Sequence, residues 1–366
     1  MSIRMSAFAI LWCAAAAFGQ TATSAPASAP TSKPAKTRDM SRFSGDGWAK
    51  MPPEWFRSDE AAEFAENVLS WQLPDGGWPK NIRGMQLRDK DIETSPDSGR
   101  SSFDNSATIP QLRFMGHIAQ ATGKQQYKDS FFKGLDLVLA AQMPCGGWPQ
   151  VYPDPRGYQR LITYNDGAMI NIMMFLREVA AGKFAFVDAG RVAKAKTAID
   201  RGLECILKTQ VVVNGRLTVW GQQHDPDTFA PAKARAFELP YLTAAESTGV
   251  VNYLMDLDNP SPQVRQAVHA AIAWMKQSQL NGIRTVRQNR DVVVVQDPNA
   301  EPLWARFYDQ ATGKPVFVGR DSQPKSTLAE IERERRGGYA WYGRWPTEAF
   351  NHYEKWCAKY GEQAVK

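Results

Sequence analysis

Two short segments pair a carboxylate with a carboxamide directly behind an aromatic ring: Phe103-Asp104-Asn105 and Tyr164-Asn165-Asp166. Each opens a stretch with helical apolar spacing, where Asp and Asn often cap the first turn. Capping accounts for such a residue when it stands alone. Recurrence suggests more: Asp104 and Asp166 are expected at equivalent places of a repeat, converging on one rim. Converging carboxylates repel unless a cation or a proton lies between them. Calcium suits such a pair, because it takes several oxygen ligands in flexible geometry. Three arginines stand in other polar stretches. They are Arg235 in Ala234-Arg235-Ala236-Phe237-Glu238, Arg306 in Trp304-Ala305-Arg306-Phe307-Tyr308, and Arg320 in Val318-Gly319-Arg320-Asp321. Their planar forks of donors match carboxylates, although each alone reads equally well as a structural or solvated arginine, and Glu238 is placed to pair with Arg235. His224, in Gln222-Gln223-His224-Asp225, is a base, a metal ligand or a hydrogen-bonded loop residue. With no second histidine at zinc-ligand spacing, zinc is not expected.

The elements that must position these groups are mostly helices. Apolar stripes recur over Ala61–Trp71, Asn105–Gln120, Gln126–Gln142, Asp166–Ala180, Ala193–Thr209, Leu239–Leu257 and Gln263–Gln279, and each stripe needs a neighbour to bury it. A turn repeats between them. Gln72-Leu73-Pro74-Asp75-Gly76-Gly77-Trp78-Pro79 returns as Gln142-Met143-Pro144-Cys145-Gly146-Gly147-Trp148-Pro149, with fainter echoes after Gln210 and Gln279. Repeated helix pairs of this kind stack into a larger array. The expectation is an all-α fold, an (α/α) toroid or barrel of helical hairpins with small β-hairpin insertions. The insertions are Val211–Val219, around Asn214-Gly215, and the pair formed by Gly282–Arg287 and Asp291–Gln296.

The 366 residues, 43% hydrophobic, suffice for one large core. A net charge of +6 without a basic tract, and no nucleic-acid-binding motif, argues against nucleic acid as a partner. Arg4, the apolar run Ala7–Phe18 and Ala17-Phe18-Gly19 read as an export signal over 1–19. A disordered Ala/Ser/Thr/Pro linker follows over 20–40, then a domain over 41–366. No run is long enough to span a membrane. The expected protein is a monomer, secreted or periplasmic. Cys145, Cys205 and Cys357 remain after cleavage, so at most one internal bridge can form.

Taken together, Gln72–Asn81, Phe103-Asp104-Asn105, Gln142–Tyr152, Thr163–Met169, Trp220–Asp225, Ala234–Pro240, Trp304–Tyr308 and Gly337–Pro346 resemble the pectate lyases of polysaccharide lyase family 10. The resemblance implies a toroid that cleaves α-1,4-linked polygalacturonate by calcium-assisted β-elimination, leaving 4,5-unsaturated oligogalacturonates. It implies that Asp104 and Asp166 hold the calcium and that Arg235 is the base. Asn105, Arg306 and Arg320 would bind substrate, and His224 is placed with them. An arginine acts as a base only where positive neighbours depress its pKa, so an alkaline optimum is expected. Two other readings stand beside this one. An inverting hydrolase would use two carboxylates about 6.5–9.5 Å apart, Asp104 with Asp166 or Asp225 with Glu238. A non-catalytic protein would only bind acidic polysaccharide. A prenyl cyclase, suggested by the glycine–tryptophan turns, lacks an Asp-rich motif.

Overall fold

The computed structural model describes residues 40–43, 46–82 and 99–365. The expected export signal over 1–19 and the linker over 20–40 lie outside them, apart from Met40. Nine α-helices are present among the described residues: α1 (Asp59–Trp71), α2 (Ile109–Thr122), α3 (Gln125–Ala140), α4 (Ala168–Ala180), α5 (Ala189–Thr209), α6 (Ala244–Met255), α7 (Pro262–Gln277), α8 (Arg333–Gly338) and α9 (Pro346–Tyr360). Three hairpins are built from them: α2 packs on α3, α4 on α5, and α6 on α7. The first members α2, α4 and α6 also touch in sequence, as do the second members α3, α5 and α7, and α9 packs against α6 and α7. Burial follows this layering. Inner α4 buries Met169, Ile170, Ile172, Met173, Phe175 and Leu176, while outer α5 buries only the stripe Ala195, Ala198, Gly202, Cys205, Ile206 and Thr209.

Helix starts follow local chemistry. Ser58 accepts from Ala61 N at 3.2 Å before α1, and Asp188 accepts from Arg191 N at 3.0 Å before α5. Helix α2 begins four residues later than its apolar spacing predicts, because Asn105, Ser106 and Thr108 hold φ of 50°, 59° and 63°. Likewise α4 waits for Asp166 and Gly167, at φ 51° and 73°. The caps are therefore Thr108 and Gly167, and neither Asp104 nor Asp166 caps a helix.

The repeated turn is a clasp. Gln72 Nε2 donates to Gly76 O at 2.8 Å inside its own turn and to Ser130 O of α3 at 2.9 Å. Gln142 does the same to Gly146 O and Ala198 O, at 2.9 and 2.8 Å, and Gln210 to Thr218 O and Ala267 O, at 2.8 and 3.0 Å. Each turn ends in a buried tryptophan whose indole donates back to the last turn of the helix before it. Trp78 reaches Val68 O at 2.7 Å, Trp148 Val138 O at 2.9 Å, Trp220 Ile206 O at 2.8 Å and Trp304 Met275 O at 2.7 Å. Those carbonyls are among the last four of their helices, which have no intrahelical donor. The faint echoes are thus genuine repeats, lengthened by inserted hairpins. The third turn carries β2 (Val212–Val213) and β3 (Arg216–Leu217), and the fourth carries β6 (Ile283–Gln288) and β7 (Asp291–Gln296).

The all-α toroid expectation does not hold. Of the described residues 48% are helical but 13% are extended, and the strands are structural rather than mere insertions. A four-stranded sheet joins β5 (Leu242–Thr243), β9 (Phe307–Tyr308), β10 (Pro315–Val318) and β11 (Pro324–Lys325). Strand β1 (Ile162–Thr163) pairs with β4 (Gln223–His224), and β8 (Trp304–Ala305) with β12 (Tyr342–Gly343). Most of these have two to four residues. Alternation needs about four residues to show in a sequence, so such strands leave no periodic trace. The fold is mixed, with helical hairpins and small sheets at the helix starts. No helix among the described residues is long and apolar enough to cross a membrane.

Gly146 sits at φ +91°, and a Cβ there would lie 2.3 Å from Arg201 O of α5. Gly146→Ala should cost at least ~2 kcal/mol, through positive φ and a backbone clash that cannot relax. Gly249, exposed in α6 with nothing within 4 Å of a built Cβ, should gain about 0.5–1 kcal/mol when changed to Ala. Urea unfolding of the two variants beside the parent checks both signs.

Candidate active site

The residue two places after each clasp tryptophan is polar: Lys80, Gln150, Gln222 and Arg306. Backbone lacing puts them in a row. Phe103 N donates to Gln150 O at 2.9 Å, Tyr164 N to Gln222 O at 3.0 Å, Ala244 N to Arg306 O at 3.1 Å. Each loop that starts an inner helix is thereby stitched to the next repeat. Asp104 and Asn165 sit one residue beyond two of these stitches. They take the same place in their repeats, both nearly sealed from solvent at 4% and 3% exposure. Asn105 and Asp166 take the next place, both exposed and left-handed. The two aspartates are therefore one position out of register, and not equivalent as the sequence suggested. They converge all the same. Asn165 Nδ2 donates to Asp166 Oδ2 at 3.0 Å and reaches Asp104 Oδ1 at 3.4 Å.

From there the network runs on without a break. Gln222 Nε2 lies 2.7 Å from Asn165 Oδ1, 3.1 Å from Glu246 Oε1 and 3.0 Å from Tyr339 Oη. Glu246, in the first turn of α6, accepts from Arg306 and from the Thr243 hydroxyl. The Tyr339 hydroxyl donates to Glu238 Oε1 at 3.1 Å. Glu238, 1% exposed, accepts from Arg235 Nε at 2.6 Å and also from Arg235 Nη2. Asp104, Asp166, Arg235 and Arg306 thus share one hydrogen-bonded groove floor, although 202 positions separate Asp104 from Arg306 in the chain.

Charge in this groove is arranged in two zones. At one end Asp166, open to solvent as a residue but with its carboxyl crowded by its neighbours, is pushed up to about 6, first by desolvation, then by the charge and hydrogen bond of Asp104. Lys80 Nζ, 3.4 Å from Asp104 Oδ2, offsets part of that repulsion. Among the described residues no group of three or more His, Cys, Asp and Glu side chains could hold a metal ion by itself. Two crowded carboxylates nevertheless fit a hard cation that completes its oxygen shell with water and an anionic ligand. At the other end guanidiniums gather around the Tyr339 ring, with Arg306 at 4.7 Å, Arg335 at 5.4 Å and Arg235 at 5.9 Å from its centroid. Burial pulls Arg235 and Arg306 down, but Glu238 and Glu246 outweigh it and leave both above the ordinary value.

Arg335, on α8, is the residue that sequence reasoning missed. It is 6% exposed and stacks on Phe237 at 3.6 Å, and its Nε and Nη2 are buried with no hydrogen-bond partner. Burial and then the charge of Arg320 hold it below the ordinary value. The glutamate–arginine alternation over Glu332–Arg336 reads as a solvated face, and only the packing shows that one of its arginines turns inward. Lys80 and Gln222 were also missed, though the spacing Trp-x-polar would have found them. Arg320, expected to bind substrate, spends Nε and Nη2 on Glu334 at 3.2 and 2.6 Å, exposed. Asp225, a hydrolase candidate, caps its own turn by accepting from Thr228 N at 2.9 Å.

His224 is fully buried. Its Nε2 accepts from Gly221 N at 2.8 Å, and its Nδ1 donates to Phe229 O at 2.8 Å. Both nitrogens are used, so no substrate can reach the ring. The histidine pins the loop that carries Gln222, which corrects its expected place among the substrate ligands. Burial lowers its pKa to about 4. Between the unfolded value near 6.5 and about 4 the unfolded chain binds the extra proton, so stability falls as pH drops through that window. His117, also lowered to about 4 mainly by burial, adds to the same slope. The His224 contribution to the urea-unfolding free energy should fall by roughly 2 kcal/mol from pH 7 to pH 5. His224→Gln should flatten that slope while leaving KM unchanged; a raised KM with an unaltered slope would contradict this placement.

The pectic acid lyase family matches residues 72–350 of the chain. A family 10 polysaccharide lyase from Cellvibrio cellulosa, an Asp-to-Ala mutant in complex with trigalacturonic acid, is 31% identical over 83% of this chain and 95% of its own, with a TM-score of 0.73. A second structure, of the family 10 polysaccharide lyase from the same organism, is also 31% identical, over 83% and 94%, with a TM-score of 0.73. No curated protein matches the sequence. The region matched spans every clasp and every residue of the groove floor, and on these grounds the chain belongs to the family 10 polysaccharide lyases and is a pectate lyase.

Proposed function

We propose that the enzyme cleaves α-1,4-linked polygalacturonate by β-elimination, with Arg235 as the base and the Asp104–Asp166 pair as the site of a calcium ion. The observation that carries this reading is the unbroken network from the crowded carboxylates to Arg235. It sets an acidic zone and a basic zone on one floor. Trigalacturonic acid, present with the Cellvibrio relative, is a short piece of such a polymer. The apolar N-terminal stretch supports export to where pectin is met.

The proton at C5 of a galacturonate lies α to a carboxylate. Its removal pushes charge onto that carboxylate, and the C4–O4 bond then breaks to leave a C4–C5 double bond. Calcium, when bound at Asp104 and Asp166, supplies positive charge opposite the substrate carboxylate. Arg306, held rigid by Glu246, is proposed to present its guanidinium charge to the substrate carboxylate. Asn105, exposed beside Asp104, is proposed as a further ligand. Arg320 is exposed and paired with Glu334 and is given no part in this step. Arg235 has Nε and Nη2 engaged by Glu238, so Nη1 is the nitrogen left for proton abstraction. Glu238 opposes deprotonation and the neighbouring guanidiniums favour it, so the rate should climb into the alkaline range.

The test is an ultraviolet assay of unsaturated uronate released from polygalacturonate. Chelation should abolish the signal and added calcium should restore it. Arg235→Ala should lower kcat by at least ~10²-fold with folding intact. Saturated reducing ends in place of absorbing products would mean hydrolysis, and full activity in chelator would remove the metal from the scheme.

Arg335 gives a separate prediction. A buried guanidinium without hydrogen bonds destabilises the free protein and pairs well with an incoming carboxylate. Arg335→Met should be at least as stable as the parent in urea, yet raise KM for polygalacturonate roughly 10- to 100-fold. An unchanged KM would assign Arg335 to stacking alone.

A further inference from the structure

We propose that Cys145 and Cys205 are a covalent modification site, joined as a disulfide when the folded protein meets a disulfide oxidant. The two thiols lie in different elements, brought together by the second clasp. That turn is pressed onto α5 along one face: Gln142 Nε2 bonds Ala198 O at 2.8 Å, and Arg201 Nη2 bonds Met143 O at 2.9 Å. Cys205 is the next residue along that face. A Cβ built on Gly146 would lie 3.3 Å from Cys205 Cβ, and one built on Gly147 would lie 3.1 Å from Cys205 Sγ. The Cys145 and Cys205 thiols lie close enough that the ionisation of each depends on the other.

The internal repeat shows that this pairing is not required by the fold. The first clasp has Asp75 where the second has Cys145, and Asp75 Oδ1 accepts from Gly77 N at 3.1 Å. It has Leu137 where the second has Cys205, since Leu137 meets the built Cβ of Gly77 as Cys205 meets that of Gly147. An acid facing a leucine is thus replaced at both positions by facing thiols. Cys357, in α9, contacts Tyr353 and takes no part.

Reactivity differs between the two. Cys145 is half-buried and Cys205 is fully buried, so a small disulfide reaches Cys145 first. The neighbouring Cys205 thiol holds the Cys145 thiol below its ordinary value, which favours the attacking thiolate. Attack forms a mixed disulfide at Cys145 and releases one small thiolate. Cys205 then attacks the Cys145 sulfur, forms the protein disulfide and releases the second. Two protein thiols lose two electrons, one small disulfide is reduced to two thiols, and the protons pass to those thiols.

The experiment treats the native protein with oxidised glutathione, alkylates it after denaturation and maps its peptides. The expected result is loss of two alkylatable thiols, one cross-linked peptide pair holding Cys145 and Cys205, and a melting temperature raised by about 5 °C or more. Cys145→Asp and Cys205→Leu reproduce the first clasp, so both should fold and neither should show the cross-link or the shift. Cys357→Ala should keep both. A glutathione adduct persisting on Cys145 with Cys205 still free, or a cross-link through Cys357, would overturn the proposal.

Discussion

Four indole N–H groups, each donating to a carbonyl in the last turn of a preceding helix, organise this molecule. A helix end leaves carbonyls without donors, and sealing one inside a core is costly unless a donor is supplied. Trp78, Trp148, Trp220 and Trp304 supply it and fill the space beside it with ring area. Once the tryptophan is placed, the chain beyond it can only run along the starts of the inner helices. The residue two positions on then lies beside the start of the inner helix of the repeat before it. One packing solution, repeated, thereby yields a row of four polar side chains on an apolar scaffold.

Those four positions have been specialised separately. Lys80 serves the carboxylate end, Gln222 connects the two ends, and Arg306 serves the basic end with Glu246. Gln150 is buried with its Oε1 lacking a partner. The same division holds at the repeated helix starts, where Asp104 is sealed and Asp166 is open. A sealed carboxylate is held in fixed geometry by its neighbours, while an open one can meet a ligand. Placing them one position out of register brings them face to face across Asn165 instead of side by side.

The groove stores unfavourable electrostatics at both ends. Desolvation and the neighbouring Asp104 carboxylate raise Asp166 at one end. At the other, Arg335 is buried with donors unspent. In the proposed reading, an anionic polymer with a cation would relieve both. Such strain is tolerable because the tryptophan clasps and the core beneath are insensitive to it, and each buried acid elsewhere on the floor has its arginine. The Arg235–Glu238 pair shows the limit of this logic, since it secures the position of the guanidinium while opposing its deprotonation.

Much was legible in the chain itself. Seven of the nine helices among the described residues came from apolar spacing, the clasps from a repeated string of Gln, Pro, Gly and Trp, and the segments that carry Asp104, Asp166, Arg235 and Arg306 from motifs of recognisable type. These are local properties, carried by side-chain period and backbone preference over a few neighbouring residues. What the sequence could not decide depends on contacts between distant segments. Two-residue strands exist only because another repeat lies alongside them. His224 and Arg335 changed roles because burial selected which of their polar atoms find partners. The one-position offset of the aspartates is written in the order Phe-Asp-Asn against Tyr-Asn-Asp, but that both meet Asn165 was decided by the packing of one repeat on the next.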